Sequence, residues 1–406
     1  MIRHLFRLVW NRRKRNGLVM VEILVSFLLL CGISTMGSSF LLNWNEPMGF
    51  DRRDVWAISV NSGPYHSLNE DAKLSVRRQF GRIEEAVRNR PDVVAASMQT
   101  NVPYTNSRWR TTFEVNGEQV QVGVLQATRE MPEVLRLELV EGEFFGENGG
   151  GEEEPVLVTQ DYARKLFPDE SAVGRLIPRK ESDDGDSVED DNPRQRIVGV
   201  IRPYRGRGEH RASEPQIVRQ IDWETFRGFP PRDLLVRVRP GAPAALEEEL
   251  LRTASAIAPG WSFTLTRMDD MRTRLLREAM LPLLLFAVVA LFLILMVGLG
   301  LIGVLWQSVI RRTDEIGVRR AMGATADGVR RQLLGELLAL TSISVLAGSV
   351  LYLQLPFLGL LQEPGKVVAC ALGSSLLVMY GFVILCGLYP SWLATRIEPA
   401  RALGYE

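Results

Sequence analysis

The feature that most constrains this chain is residues 279–310, 32 consecutive positions without a charged side chain. About 20 apolar residues cross the hydrocarbon of a bilayer as a helix. Inside lipid a backbone can satisfy its hydrogen bonds only in helices or closed barrels. Three more uncharged runs obey the same logic, at 23–44, 337–362 and 367–388. The run at 23–44 exceeds the apolar core of a cleaved secretory signal. Its residues 28–31 depart from a lipoprotein signal, because Leu30 precedes Cys31 where a small residue is wanted. The expectation is an α-helical membrane protein with four transmembrane helices, at 18–44, 281–308, 332–358 and 367–389. A large insertion, 45–268, falls between the first and the second.

Charge orients these segments. The 406 residues hold 48 Lys and Arg and 48 Asp and Glu, unevenly placed. Arg3, Arg7, Arg12, Arg13, Lys14 and Arg15 precede the first acid, Glu22. Residues 309–331 carry Arg311, Arg312, Arg319, Arg320, Arg330 and Arg331 against Asp314, Glu315 and Asp327. Short loops rich in Lys and Arg stay cytoplasmic, so the N-terminus, this loop and the tail at 390–406 are expected inside. The insertion and a short turn at 359–366 are expected outside. From 43 to 278 there are 33 Lys and Arg against 40 Asp and Glu, which suits an extracytoplasmic domain and not a nucleic-acid binder. Ile2, Leu5, Phe6 and Val9 fall at helical spacing, so residues 1–17 read as a basic amphipathic helix lying on membrane lipid. Glu22 sits at the inner edge of the first span, within reach of Arg15. Gly298, Gly300 and Gly303 allow close helix packing, against the chain's own spans or against a partner.

The insertion alternates apolar and polar residues at 55–60, 112–115 and 119–125, with Asn116-Gly117 between the last two as a hairpin signal. Helical patterns cover 71–88, 161–167 and 244–257, the last preceded by Pro243. This is an α+β pattern. The acidic stretches 147–154 and 180–192 read as loops. A charged helix at 269–280 leads into the second span as a stalk, with Pro282 at its membrane entry.

Within the loop, Asp314 and Glu315 precede Arg319 and Arg320, which matches the dipole of a short helix. Gly323 is suited to end that helix. Thr325 is suited to cap the next one, with Asp327 in its first turn. Spacing alone fits a surface helix or a solvated basic loop.

Catalytic signatures are missing. The 406 residues contain no G-x-x-x-x-G-K-[ST] phosphate loop, no H-E-x-x-H pair and no G-x-S-x-G turn. His4, His66 and His210 are scattered, and Cys31, Cys370 and Cys386 all lie in apolar runs. No catalytic residue, bound cofactor, metal site or disulfide is expected. The spans lack deep ionisable residues of the kind that line a polar pathway.

The loop resembles the cytoplasmic loop of MacB/FtsX-family ABC transporter permeases, R-x-x-E-I-G-x-R-[RK]-A-[LIM]-G-A. The matching positions are Arg312, Glu315, Ile316, Gly317, Arg319, Arg320, Ala321, Met322, Gly323 and Ala324. Looser likenesses to the MacB-like periplasmic core domain occur at Gly142 and Phe145, at Ala163, Phe167 and Gly174, and at Val198, Gly199 and Val200. The tail is similar to the family's closing pattern through Tyr389, Pro390, Ala394, Pro399, Ala402 and Leu403.

The resemblance implies the MacB-type (type VII) ABC permease fold in a bacterial inner membrane. It also implies that residues 309–331 are a coupling loop docking on a separate ABC ATPase subunit, which binds ATP and Mg. A second permease subunit, same or different, would complete the dimer; a periplasmic adaptor and an outer-membrane channel are further possible partners. The implied function is mechanotransmission for export or efflux. The alternatives are an FtsX-like scaffold regulating an extracytoplasmic enzyme, or a lipoprotein-releasing permease.

Overall fold

The structure is a computed structural model. It describes residues 13–105, 109–115, 118–146, 153–178, 194–223, 226, 230–311, 322, 325–361 and 363–394. The chain divides into two compact units, Met1–Leu42 with Ala279–Glu406, and Asn43–Glu278.

The first unit is helical. Helix α1 spans Arg13–Trp44. The later helices are α6 (Met268–Arg311), α7 (Ala326–Phe357) and α8 (Gly365–Ala394). Four segments of these helices are long and apolar enough to cross a membrane, at Gly17–Trp44, Met268–Gln307, Arg330–Phe357 and Gly365–Leu388. The expected stalk and second span are thus one helix, with Pro282 inside it. Residues 1–12 of the expected amphipathic helix and 395–406 of the tail lie outside the described residues.

Small residues set the packing of this unit. Gly298 faces Phe382 and Cys386, and Gly300 faces Val19 and the carboxylate of Glu22. These two glycines therefore serve the chain's own spans, while Gly303 has open space beside it. Gly348 admits the ring of Phe27, and Gly387 admits Leu334 and Leu337. Hydroxyls add directional ties where water is scarce. Thr35 and Tyr352 share a 2.6 Å hydrogen bond, Ser375 donates to Ser34 at 3.1 Å, and Ser39 donates to Glu363 at 3.1 Å. Ser342 and Tyr380 lie 2.9 Å apart. The three cysteines are unpaired.

The second unit is a ten-stranded mixed sheet with helices. In chain order the strands are β1 (Val55–Asn61), β2 (Val93–Gln99), β3 (Trp109–Val115), β4 (Glu118–Ala127), β5 (Leu139–Gly142), β6 (Glu153–Thr159), β7 (Arg194–Ile201), β8 (Gln216–Gln220), β9 (Asp233–Val238) and β10 (Ser262–Arg267). Their order is β10-β1-β9-β2-β4-β8-β6-β7-β5, with β3 pairing β4 beside this path. The pairs β4–β8 and β6–β7 are parallel; the others are antiparallel. The helices are α2 (Glu70–Arg88), α3 (Met131–Leu135), α4 (Gln160–Leu166) and α5 (Ala245–Ile257). The expected hairpin forms, since Val115 faces Glu118 across residues 116–117, which lie outside the described residues. The helical pattern expected from 71 begins one residue earlier. Asn69 accepts from the Ala72 amide at 2.9 Å and fixes that start.

Period-two alternation sends neighbours on one strand to opposite faces. Trp56, Ile58 and Val60 pack with Phe80, Ile83 and Val87 of α2 and with Leu246 and Leu250 of α5. Val55 and Ala57 turn the other way, toward Met131, Val134 and Leu135 of α3 and toward Leu275 of α6. A third cluster joins Val120 and Val122 of the hairpin to Val156, Val158, Ile197 and Tyr162. Gly142 has φ +81°, and a methyl there would overlap the Val198 carbonyl; one on Gly199 would overlap the Glu143 carbonyl. The two backbones cross where neither side can carry a Cβ, which explains two of the glycines noted in the sequence.

Candidate functional site

The loop between α6 and α7 is the candidate site. Helix α6 ends at Arg311 and α7 begins at Ala326. Thr325 caps α7, its hydroxyl accepting from the Gly328 amide at 3.2 Å, and Asp327 stands in the first turn. A hydroxyl there satisfies an amide that the helix cannot pair, and the acid meets the positive end of the dipole. Both expectations for this end of the loop hold. Of the ten matching residues, Met322 is 77% exposed. Arg312, Glu315, Ile316, Gly317, Arg319, Arg320, Ala321, Gly323 and Ala324 lie outside the described residues.

The α+β domain holds charged groups that sequence reasoning missed. Arg205 is 2% exposed and, among the described residues, donates only to backbone carbonyls. Burial lowers its pKa, against the fields of Glu46, Glu209 and Tyr104. Arg237, also 2% exposed, donates to the carbonyls of Val134, Arg53 and Asp51. Both satisfy a buried guanidinium with fixed carbonyl dipoles, which lowers the cost of desolvating it. No run of residues signals this, because the acceptors come from distant segments.

Glu84 is a buried carboxylate on α2. One oxygen accepts from the Met98 amide at 3.1 Å and from the Thr128 hydroxyl, and the other from the Trp223 indole at 2.9 Å. Burial pushes its pKa up to about 7; the Thr128 and Trp223 hydrogen bonds oppose that shift, the Glu130 charge adds to it, and the Met98 amide opposes it. A signal for Glu84 does exist. It falls on the apolar stripe Phe80, Ile83, Val87, where an acid is out of place. His210 is held near 4, first by burial and then by Arg211 and Arg207, with Glu209 opposing. It is neutral at pH 7 and not poised for acid–base work.

Two concavities belong to this domain. One, of about 50 Å³, is lined by residues including Asn101, Thr105, Trp109, Tyr204, Arg207 and Gln216. An open groove of about 630 Å³ runs past Arg88, Glu130, Glu133, Phe144 and Phe145. Among the described residues no group of three or more His, Cys, Asp or Glu is arranged to hold a metal ion.

Apolar helices that carry an α+β domain inserted after the first of them define a multi-pass membrane protein of the permease class. Residues 17–253 match the MacB-like periplasmic core domain, and residues 287–399 match the FtsX-like permease C-terminal family. The chain belongs to the MacB/FtsX family of ABC permeases.

Among similar proteins is the macrolide export ATP-binding/permease protein MacB of Bdellovibrio bacteriovorus, 23% identical over all of this chain and 62% of its own length. The MacB of Syntrophobacter fumaroxidans is 31% identical over 42% of this chain and 25% of its own length. The chain thus spans less than two thirds of the length of these curated relatives. Among solved structures, the periplasmic region of MacB from Actinobacillus actinomycetemcomitans aligns with a TM-score of 0.38 and 10% identity, over 57% of this chain and 97% of that one.

Proposed function

We propose that this chain is a non-catalytic permease subunit that transmits ATP-driven motion of a separate ABC ATPase to the extracytoplasmic domain, for export. The observation that carries this is the ten-residue match between Arg312 and Ala324, held between α6 and α7 of a chain in the MacB/FtsX family. The names of the relatives couple an ATP-binding function to export, which supports the direction of transport. The 406 residues hold no phosphate loop, and the proposal gives nucleotide and Mg to the ATPase. The basic loop and the basic N-terminal segment are cytoplasmic, and the large domain lies outside. Two such permeases work with two ATPases, because a clamp closing on nucleotide needs a surface on each side to push.

The test is deletion of residues 315–320 in the full chain. ATPase co-purification should be lost while membrane insertion is kept. Unchanged co-purification would overturn the docking role.

A further inference from the structure

Strand β4, the stretch 101–105 and the stretch 204–207 line the smaller concavity of the α+β domain, about 50 Å³ in volume. Strand pairing fixes part of its wall. Gly123 of β4 is in register with Gln216 of β8, and Val124 with Trp109 of β3, and all four line it. Val102, Leu125 and Tyr204 are buried there, whereas Trp109 is 52% exposed and stands at the rim. The cavity therefore has an apolar lining and a half-open indole beside it.

Two donors on its walls have nothing to donate to. The Tyr204 hydroxyl and the Arg207 Nε are buried and have no hydrogen-bond partner among the described residues. Such groups are uncommon, because each forfeits the hydrogen bond that it made to water. Tyr204 is 4% exposed. Gly206, also in the lining, leaves its hydroxyl uncovered: a methyl there would lie 2.8 Å from the Tyr204 ring and 3.5 Å from its oxygen. The rest of Tyr204 is anchored. Its carbonyl accepts from Gln216 at 3.1 Å, and its ring lies 5.3 Å from that of Phe50. Burial, then the nearby Tyr104, pushes its pKa up, so the group stays a hydroxyl at neutral pH.

The charges beside these donors are unbalanced. Arg207 donates to Glu214 at 2.6 Å, and Arg110 donates to the same oxygen at 2.8 Å. Arg211 adds a third cation. Burial lowers the pKa of Arg207, Arg211 lowers it further, Glu214 opposes this, and Arg110 adds to it. Three cations around one acid draw an anion to this place.

We propose that this cavity binds the carboxylate of a small organic acid, with Tyr204 and Arg207 donating to its oxygens and the indole of Trp109 covering its apolar body. A carboxylate offers acceptors to both donors, opposes the local charge and brings no donor that needs a partner of its own. A volume of about 50 Å³ takes about four water-sized groups, the size of a carboxymethyl end. An alcohol lacks the charge, and an amine is repelled. Binding needs neither nucleotide nor ATPase, so it stands or falls apart from the transmission role.

The experiment follows the fluorine NMR line of para-fluorophenylacetate with the full chain in lipid nanodiscs, against empty nanodiscs. Its carboxymethyl group suits the cavity and its ring can lie on Trp109. The line should broaden with the protein, and that of para-fluorophenylethanol, the same body without the carboxylate, should not. Tyr204→Phe should weaken binding about tenfold, and Trp109→Ala about threefold or more. The urea midpoint of Tyr204→Phe without probe should stay level or rise, since the hydroxyl removed has no partner. Weaker binding without a lower midpoint marks a ligand contact and not a folding defect.

Three results overturn the proposal: no broadening beyond that of empty nanodiscs at millimolar probe, equal broadening of the alcohol, or undiminished binding in either variant. If Tyr204→Phe fails to fold, Trp109→Ala, at an exposed position, decides the matter together with the alcohol.

Discussion

At the scale of single residues, the energetics of the α+β domain turn on buried charges that the chain satisfies in different ways. Arg205 and Arg237 keep their charge by collecting carbonyls. Glu84 accepts three hydrogen bonds, yet burial outweighs them and favours its neutral form. Its folded pKa of about 7 stands above the ordinary 4.5, so the folded domain binds a proton more tightly than the unfolded chain. The sign follows from linkage: this stabilisation is fully present below about pH 4.5 and is lost as pH rises through about 7, on the order of 3 kcal/mol in all. The urea midpoint of the domain in the full chain, read by tryptophan fluorescence, should therefore fall between pH 5 and pH 8. Glu84→Gln, which keeps the shape without the charge, should flatten that fall. An unchanged slope in the variant would assign the pH dependence elsewhere.

At the scale of elements, the sheet is held in register by pairs that tolerate no extra atom. At the crossing of Gly142 and Gly199 a methyl on either residue would overlap a backbone carbonyl. Gly142→Ala and Gly199→Ala should each cost about 2 kcal/mol or more, since strain at positive φ or overlap with backbone cannot be relieved by a side-chain rotation. Gly146→Ala is the control. Nothing lies within 4 Å of a methyl there, so the change should stay within about 0.5 kcal/mol. Denaturation midpoints of the three variants give the ordering, and equal losses at all three positions would refute it. In the membrane unit, the glycines and hydroxyls of α1, α7 and α8 play the corresponding part.

At the scale of the whole molecule, the prediction concerns sidedness. In a background with Cys31, Cys370 and Cys386 replaced by alanine, Arg78→Cys, at an exposed position of α2, should react with a membrane-impermeant maleimide in intact spheroplasts. A cysteine at Met322 should react only after the membrane is opened. The reverse pattern would place the domain inside and end the transmission reading. Deletion of 315–320 and this labelling are independent, since one reads partner docking and the other reads topology.

The sequence by itself determined the spans, the inserted α+β domain, the β3–β4 hairpin and the Thr325 cap. Each depends on a pattern within a few residues: an uncharged run, a two-residue turn, a hydroxyl before a helix. It also pointed to residues 312–324 as the candidate site, by a motif whose spacing is local. Three things were settled only by the tertiary structure: the glycines that face the chain's own helices, the carboxylate of Glu84 placed against Trp223, and the carbonyls gathered around Arg205. Their partners lie tens to hundreds of positions away, and the choice among acceptors was made by which backbones the packed sheet and helices bring within about 3 Å.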